Sequence, residues 1–189
     1  MSTQSGIKIP ATKILAISAI LMALSVALGT LTLFRMPQGG SVTPFSMLPI
    51  FIAAYYFGVS KGMLVGAGVG ILNLLLSPYI VHPVQVFMDY PMAFGALAIG
   101  GVLRHRKKIG MLAGYLLGVF CRYIVAVLSG LIFFSAYAPE NFNGLSWSLW
   151  YNLTYLGVEA AMTVAVLMVP AVRNTLEKLR LQAESPARG

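Results

Sequence analysis

Three side chains that can carry charge interrupt the long apolar stretches of this sequence: Asp89, Arg122 and Glu159. A charged residue at the centre of a bilayer costs about 2.5–3.5 kcal/mol on insertion scales, so such residues are candidates for a functional site. Asp89 is the most informative of them, because Gln85 precedes it by one helical turn and shares its face. Asp89 is therefore predicted to be the centre of a binding site, with a cation, a donor or a ligand set against its carboxylate.

Aromatic and amide side chains are predicted to form the other walls of this site. Tyr90 follows Asp89, and Trp147, Tyr151 and Asn152 lie in the first turns of the last apolar stretch. A carboxylate among aromatic rings suits an organic cation, because the acid offsets its charge and each ring face adds about 0.5–2 kcal/mol of cation–π attraction. The amide of Asn152 offers a donor and an acceptor to the edge of a heterocycle.

The same residues also have purely structural interpretations, which stay open at this point. Asp89 or Glu159 could form a buried salt bridge with Arg122 that serves only packing. Trp150 above all, and to a lesser degree Trp147 and Tyr151, could belong to the aromatic belt that membrane proteins place at the interface.

The elements that position these residues are predicted to be membrane helices. Of the 189 residues 58% are hydrophobic and only 10% are charged, whereas soluble domains carry about 25% charged residues. The single cysteine, Cys121, excludes an internal disulfide. The sequence contains no Walker A loop, no HExxH, no Cys/His metal spacing and no nucleophile elbow. We therefore expect no catalytic residue, no metal and no cofactor.

The chain is predicted to be an all-α, integral membrane six-helix bundle with cytoplasmic N- and C-termini. Residues 13–172 would form the transmembrane substrate-binding domain, and residues 1–12 and 173–189 would be cytoplasmic tails. The apolar stretch 45–77 is too long for one span, so it is predicted to break near Gly58–Gly62 into two. The other spans are predicted at about residues 13–34, from His82–Pro83 to Leu103, at 111–134 and at 145–172, with Pro91 loosening the fourth beside Asp89.

The basic residues indicate the orientation and exclude a nucleic-acid partner. The net charge is +8, but the positive side chains fall in alternate connections between the spans, which is the positive-inside pattern. Contact with lipid headgroups is therefore a simpler interpretation than nucleic-acid binding. Arg35 alone falls in a connection on the other side, and Arg122 alone falls inside a span. The remaining basic positions are Lys8, Lys13, Lys61, Arg104, Arg106, Lys107, Lys108, Arg173, Lys178, Arg180 and Arg188.

Two further segments have a predicted role. Residues 35–44 contain two prolines and a Gly-Gly pair, which exclude a regular helix and favour a lid or binding loop over a plain connector. Gly40 and Ser41 are its candidate ligand contacts. Ala19 and Ala23 lie one turn apart in a stripe of small residues that allows another helix to approach closely, either within the bundle or on a second protein.

Several of these segments together resemble the thiamine-specific S-component of energy-coupling-factor (ECF) vitamin transporters. The resemblance covers roughly residues 13–172 and implies a non-enzymatic, high-affinity subunit that captures thiamine from outside. It further implies a multi-pass protein of a bacterial plasma membrane, with a transmembrane coupling subunit and two ATPase subunits as partners. The motifs that carry it are Arg35-Met-Pro-Gln-Gly-Gly-Ser-Val-Thr43, Met47-Leu-Pro49, His82-Pro-Val-Gln85 with Asp89-Tyr-Pro91, and Tyr137…Trp147…Asn152.

The resemblance also implies roles for individual residues. The acid–tyrosine pair of helix four would be Asp89 and Tyr90, the basic residue of helix five Arg122, and the aromatic at its end Phe134. Ala19 and Ala23 would dock the coupling subunit. The complete set expected to bind substrate is Asp89, Tyr90, Arg122, Phe134, Trp147, Tyr151, Asn152, Gln85, Gly40 and Ser41.

Two alternative functions stay open from the sequence. One is an S-component for another vitamin or for a thiamine precursor, since pyrimidine precursors share half of the thiamine molecule. The other is an integral-membrane enzyme that acts on a lipid or prenyl substrate, although such enzymes usually show paired acids for a metal.

Overall fold

A computed structural model describes residues 9–106 and 110–185 of the protein. Five helices in this part of the chain are long and apolar enough to cross a membrane, and a sixth, ten-residue helix is also apolar. The coarse prediction of an all-α membrane bundle is therefore confirmed. The helices are α1 (Ala11–Thr30), α2 (Leu48–Phe57), α3 (Val59–Leu76), α4 (Pro83–His105), α5 (Gly110–Phe133), α6 (Gly144–Met168) and α7 (Pro170–Glu184).

Two short strands, β1 (Phe34–Arg35) and β2 (Ser41–Val42), form an antiparallel hairpin between α1 and α2. The exclusion of a helix from this segment is correct, although the sequence analysis did not predict a hairpin. Helix α1 ends at Thr30, so Phe34 belongs to the hairpin and not to the first span as predicted. Some positions named in the predictions lie outside the described residues. They are residues 1–8 of the predicted tail, Lys107 and Lys108 of the basic cluster, and Arg188.

The long apolar stretch breaks at one residue, Gly58. Its φ of 91° is readily available only to glycine, and α3 begins at the next residue, Val59. The predicted break is thus confirmed and is narrower than the segment Gly58–Gly62. Helix α2 before the break is buried from Pro49 to Phe57, so this short helix forms the centre of the bundle.

Helix α4 changes its winding along its length. It begins as an α-helix, widens to a π-helix over Met88–Met92, and ends as a 3₁₀ helix over Leu97–His105. Pro91 lies inside the π-helical turn. Proline has no N–H to donate, so it interrupts the regular series of backbone hydrogen bonds at this turn. The predicted loosening of the helix beside Asp89 is therefore observed.

Glycine faces hold α4 on both sides. A Cβ added at Gly66 or Gly70 of α3 would lie 2.4 Å from a backbone oxygen of α4, that of Phe94 or Tyr90 respectively. On the opposite side, a Cβ at Gly118 of α5 would lie 2.3 Å from the Leu97 oxygen. The three helices therefore touch backbone to backbone, as small residues allow in membrane bundles.

The last span differs from its predicted extent. Helix α6 ends at Met168, before Val172, because Pro170 drives Val169 into an extended conformation with ψ of 117°. The following residues form the separate helix α7. It packs on one end of the bundle, where the Tyr56 hydroxyl donates to the Leu176 oxygen at 2.9 Å and Arg180 Nη1 donates to the Arg104 oxygen at 2.6 Å.

Gly70→Ala is expected to lower the free energy of unfolding by about 1–3 kcal/mol, because the added methyl group would overlap the backbone of α4. Chemical unfolding in detergent micelles measures the change. The matched control is Gly157→Ala, whose methyl group would meet nothing closer than the Leu153 side chain at 3.4 Å. That variant should keep or raise stability, since alanine favours a helix by about 0.5–1 kcal/mol over glycine. Equal effects of the two substitutions would contradict the backbone contact.

Candidate substrate-binding site

A cavity of about 630 Å³ lies between the hairpin, the connection from α3 to α4, and helices α4, α5 and α6. Every residue predicted to bind substrate lines it. The structure therefore brings together side chains that are up to 112 positions apart in sequence, from Gly40 to Asn152, in one place. The predicted lining residues are Gly40, Ser41, Gln85, Asp89, Tyr90, Arg122, Phe134, Trp147, Tyr151 and Asn152.

The Asp89 carboxylate is oriented by Gln85, lines the cavity and has the buried Ser129 hydroxyl close to it. Gln85 Nε2 donates to Asp89 Oδ2 and to the Tyr79 oxygen at 3.1 Å, and Gln85 Oε1 accepts from the Val81 N–H at 3.1 Å. Both N–H groups of the buried Gln85 amide are thus used within the protein, and only one lone pair of Oε1 remains. Within the described residues Asp89 Oδ1 has no hydrogen bond, and this oxygen can pair with a ligand.

Tyr90 holds the connection from α3 to α4 in place. Its hydroxyl accepts from the Tyr79 N–H at 2.8 Å and donates to the Ser77 oxygen at 3.2 Å. As a result the Tyr79 ring lies 5.9 Å from the Phe134 ring and forms part of the cavity wall. Tyr79 was not predicted from the sequence, because a tyrosine that follows a proline in a connection carries no periodic signal.

Arg122 does not form the salt bridge that was considered from the sequence. Its guanidinium carbon lies 3.9 Å from the centroid of the Phe94 ring, and the salt bridges between described residues join Arg104 or Arg180 to Glu177 or Glu184. The aromatic face stabilises the cation. Arg122 Nη1 is buried without a hydrogen-bond partner among the described residues, at a cost of about 1–3 kcal/mol, and is a donor available to a ligand.

Helix α6 supplies an aromatic wall. The Trp147 and Tyr151 rings lie 5.7 Å apart, and the Tyr151 and Tyr155 rings 5.9 Å apart. Tyr155 was missed from the sequence, although it follows Tyr151 by one turn. Trp150 is 55% exposed and does not line the cavity, as expected for an interface belt, whereas Trp147 does line it.

The hydrogen-bonding groups of Asn152 are largely used within the protein. Its Nδ2 donates to the Ser148 oxygen at 2.8 Å and to the Ala126 oxygen at 3.3 Å, and its Oδ1 accepts from the Tyr155 hydroxyl at 2.9 Å. One lone pair of Oδ1 remains for a ligand. The Asn152 N–H groups are therefore not available to donate to a heterocycle in this structure, although the sequence predicted such a contact.

The hairpin lies against α6 at the cavity. The Met36 N–H donates to the Gly40 oxygen at 2.7 Å and closes the turn, in which Gly39 has a φ of 88°. The Tyr151 hydroxyl accepts from the N–H groups of Gln38 and Gly40, each at 3.1 Å. These contacts favour the predicted lid or binding loop over a plain connector.

Glu159 was identified in the sequence as an ionisable group within a span, but not as a member of the site. It lines the cavity and is only 3% exposed. Its carboxylate accepts hydrogen bonds from Thr43 Oγ1 at 2.8 Å, Ser46 Oγ at 2.9 Å and the Met47 N–H at 2.8 Å. No group of three or more His, Cys, Asp or Glu residues in the described part of the chain could hold a metal ion.

Apolar helices around a cavity with aromatic and charged walls define a membrane protein that binds a small organic molecule. The sequence model of the thiamine transporter protein family (Thia_YuaJ) matches residues 15–178. The chain therefore belongs to the thiamine transporter family, and the resemblance to thiamine-specific S-components is confirmed at the level of the family.

Individual relatives agree with this membership. The thiamine transporter ThiT of Bacillus subtilis is 31% identical over 173 residues, which cover 82% of this chain and 90% of that protein. ThiT of Lacticaseibacillus paracasei is 26% identical over 141 residues, covering 66% and 70% of the two chains. A solved structure of ThiT from Listeria monocytogenes superposes with a TM-score of 0.70 at 24% identity, covering 88% of this chain and 96% of that one, which shows the shared fold.

These comparisons place the chain among bacterial membrane transporters. The family consists of transporters and not of enzymes, in agreement with the expectation that this chain has no enzymatic activity. The alternative of an integral-membrane enzyme acting on a lipid or prenyl group is not supported.

Tyr151→Phe is expected to loosen the hairpin without unfolding the bundle, because it removes the acceptor shared by the Gln38 and Gly40 N–H groups. The hydrogen exchange of these two amides should accelerate roughly 2- to 10-fold, as expected for the loss of a bond of about 0.5–1.5 kcal/mol. Tyr123→Phe is the control, since the Tyr123 hydroxyl donates to the Leu149 oxygen on the outside of the bundle. Unchanged exchange at both amides would show that Tyr151 does not hold the hairpin.

Proposed function

We propose that this chain is the high-affinity thiamine-binding subunit of an ATP-driven ECF vitamin importer, and that it captures thiamine from the outside. The observation that carries the proposal is the cavity, which all of the predicted substrate-binding residues line. Its volume of about 630 Å³ lies within the range of about 300–1,000 Å³ that is usual for sites of small molecules.

The charges of the cavity suit a ligand with one positive charge. The Asp89 carboxylate has a formal charge of −1 and faces the cavity, whereas the Glu159 oxygens are taken up by hydrogen bonds to the protein. Thiamine carries one permanent positive charge on its thiazolium ring, which can pair with the Asp89 carboxylate. Arg35 also lines the cavity but is exposed, and water screens its charge.

The uncharged walls suit the two flat rings of thiamine. Tyr79 and Phe134 on one side, and Trp147 and Tyr151 on the other, offer faces for stacking and cation–π contact. Arg122 Nη1 is a free donor for a ring nitrogen, and Asp89 Oδ1 is a free acceptor beside the thiazolium charge or the amino group. These two atoms, Arg122 Nη1 and Asp89 Oδ1, thus each have a counterpart on the ligand.

The energy for transport is proposed to come from other subunits. The full sequence has no Walker A phosphate-binding loop, so a transmembrane coupling subunit and two ATPase subunits are the expected partners. Helix α1 offers them a free surface, because Ala16, Ala19, Ala23 and Ala27 are all exposed and Ser25 is its only buried residue. This exposure supports docking of a partner helix over packing within the bundle.

The orientation is proposed from the distribution of charge. Lys13, Arg104 and Arg180 lie together at the end of the bundle that α7 covers, where Lys13 Nζ donates to the Ser185 oxygen at 3.0 Å. Basic residues on one side mark the cytoplasmic face, where lipid headgroups are available to them. On this basis residues 13–172 are the domain that crosses the plasma membrane six times, residues 1–12 and 173–189 lie in the cytoplasm, and the hairpin faces outwards.

Mass spectrometry of small molecules released from the purified protein tests the ligand. Thiamine is expected, whereas release of only a pyrimidine precursor or another vitamin would replace the proposed substrate. Proteoliposomes that contain this chain alone should bind thiamine but should not accumulate more than one molecule per protein. Multiple turnovers without other subunits would contradict the dependence on an ATPase.

Asp89→Asn is expected to weaken thiamine binding by at least about tenfold, or roughly 1.4 kcal/mol, because the carboxylate offsets the thiazolium charge. Titration of the intrinsic tryptophan fluorescence measures the affinity. The same substitution should weaken the binding of an analogue with an uncharged ring in place of the thiazolium much less. The control is Glu140→Gln, which removes an exposed acid that does not line the cavity. Parental thiamine affinity in Asp89→Asn would rule out the counter-ion role.

Ala19→Trp and Ala23→Trp are expected to leave thiamine affinity near that of the parent but to abolish uptake by cells that also express the coupling and ATPase subunits. The reason is that an indole on this exposed face blocks the close approach of another helix. Leu128→Trp, on the exposed face of α5, is the control for bulk alone and should transport normally. Loss of both thiamine affinity and uptake would indicate that the alanines pack within the bundle. Normal uptake would exclude both roles.

A further inference from the structure

The two acids of the cavity differ in how fully their oxygens are hydrogen-bonded. Asp89 accepts one hydrogen bond, from Gln85, and the buried Ser129 hydroxyl is a second donor close to its carboxylate. Glu159 accepts three hydrogen bonds of 2.8–2.9 Å from Thr43, Ser46 and Met47. A carboxylate with three protein donors has little capacity left for a ligand, so the two acids cannot serve the same purpose.

The three donors to Glu159 lie on one short segment, Thr43–Met47, which joins β2 to α2. Phe45 in its centre has a φ of 62°, a left-handed conformation that a bulky residue seldom adopts and that costs about 1–3 kcal/mol unless its surroundings hold it. The Glu159 hydrogen bonds lie on both sides of Phe45. Ser25 Oγ adds a further bond at 2.6 Å to the Ser46 oxygen. The carboxylate therefore holds a strained bend in place.

Glu159 also caps helix α2 from another helix. Met47 is the N-cap residue of α2, and no side chain of its own segment makes a cap hydrogen bond. The Met47 N–H donates to Glu159 Oε1 instead. An anion at the amino-terminal end of a helix interacts favourably with the helix dipole, so the first turn of α2 is fixed against α6.

The segment held by Glu159 continues directly into the hairpin at the cavity. Tyr151, Tyr155 and Glu159 are spaced by four residues and therefore share one face of α6. Tyr151 holds the hairpin at Gln38 and Gly40, and Glu159 holds the segment that follows Val42. One face of α6 thus fixes both ends of the segment that carries Gly40 and Ser41 over the cavity.

We infer that Glu159 is a positioning residue for substrate binding: it holds the strained Thr43–Met47 bend and caps α2, and so places the hairpin over the cavity. The inference rests on the proposed function. It assigns different roles to the two acids: Asp89 pairs with the charge of the ligand, and Glu159 holds the protein segment beside the cavity. The affinity for any ligand of the right shape then depends on Glu159 as a hydrogen-bond acceptor, and not on its charge.

The variants Glu159→Leu and Glu159→Gln separate these two properties. Leucine removes every acceptor, and we expect roughly 10- to 100-fold weaker binding of both thiamine and the analogue with an uncharged ring. Glutamine keeps an acceptor for Met47 and Ser46 and offers an amide donor to the Thr43 hydroxyl, so it should bind both ligands within about threefold of the parent. The control is Thr163→Val, which removes a buried hydrogen bond to the Glu159 backbone oxygen one turn along α6 and should bind normally.

Hydrogen exchange of the ligand-free proteins tests the positioning role without any substrate. In Glu159→Leu the amides of residues 36–48 should exchange faster while those of α3 and α5 stay protected. If Glu159→Leu does not fold, the double variant Thr43→Val/Ser46→Ala removes two of the donors from the other side and should give the same local change and the same equal loss for both ligands.

Three results would overturn the inference. One is a Glu159→Gln variant that loses thiamine as strongly as the leucine variant does but retains the uncharged analogue, since Glu159 would then be a second counter-ion. Another is faster exchange throughout the protein, which would mark a general role in stability. The third is unchanged affinity and exchange in Glu159→Leu or in the double variant. If the parent protein binds no thiamine, the proposed function fails, while the exchange experiment still decides the role of Glu159.

Discussion

Helix α4 lies in backbone contact with glycine faces of α3 and α5, and the geometry of the binding cavity depends on this contact. Gly70 allows the Tyr90 carbonyl to approach as closely as it does. The π-helical turn around Pro91 occurs at the same level, so this irregular turn of the helix is held by its neighbours. Asp89 can therefore be presented at a fixed position in a helix that would otherwise be weakened there.

Around this helix, the polar atoms fall into those that organise the site and those left for a ligand. The side chains of Gln85 and Tyr90 hold the connection from α3 to α4, and Glu159 bonds to the segment before α2. By contrast, Asp89 Oδ1 and Arg122 Nη1 are unpaired among the described residues. Because an unpaired buried polar atom such as Arg122 Nη1 is costly, a ligand that paired with it would stabilise the protein.

The opposite end of the bundle has a different organisation. Helix α7 lies beside the start of α1 and the end of α2. Its Arg180 pairs with Glu177 and Glu184, and the Arg180 guanidinium carbon lies 4.8 Å from the centroid of the Tyr55 ring. The exposed alanine face of α1 extends along the bundle beside it. The protein thus separates a ligand cavity at one end from a basic, helix-covered end at the other, and a helix surface open to a partner connects the two.

The sequence by itself determined the features that depend on local composition and spacing. Hydropathy indicated the membrane helices, Gly58 the break between α2 and α3, and Pro91 the disturbed turn beside Asp89, because each acts on its own stretch of backbone. The rarity of polar groups in apolar helices pointed to the residues that line the cavity. Only the tertiary structure decided which of their atoms remain free. Asn152 uses its amide donors within the protein, and Glu159 bonds to residues more than a hundred positions away. Such pairings follow from how helices face one another, which no local pattern in the chain specifies.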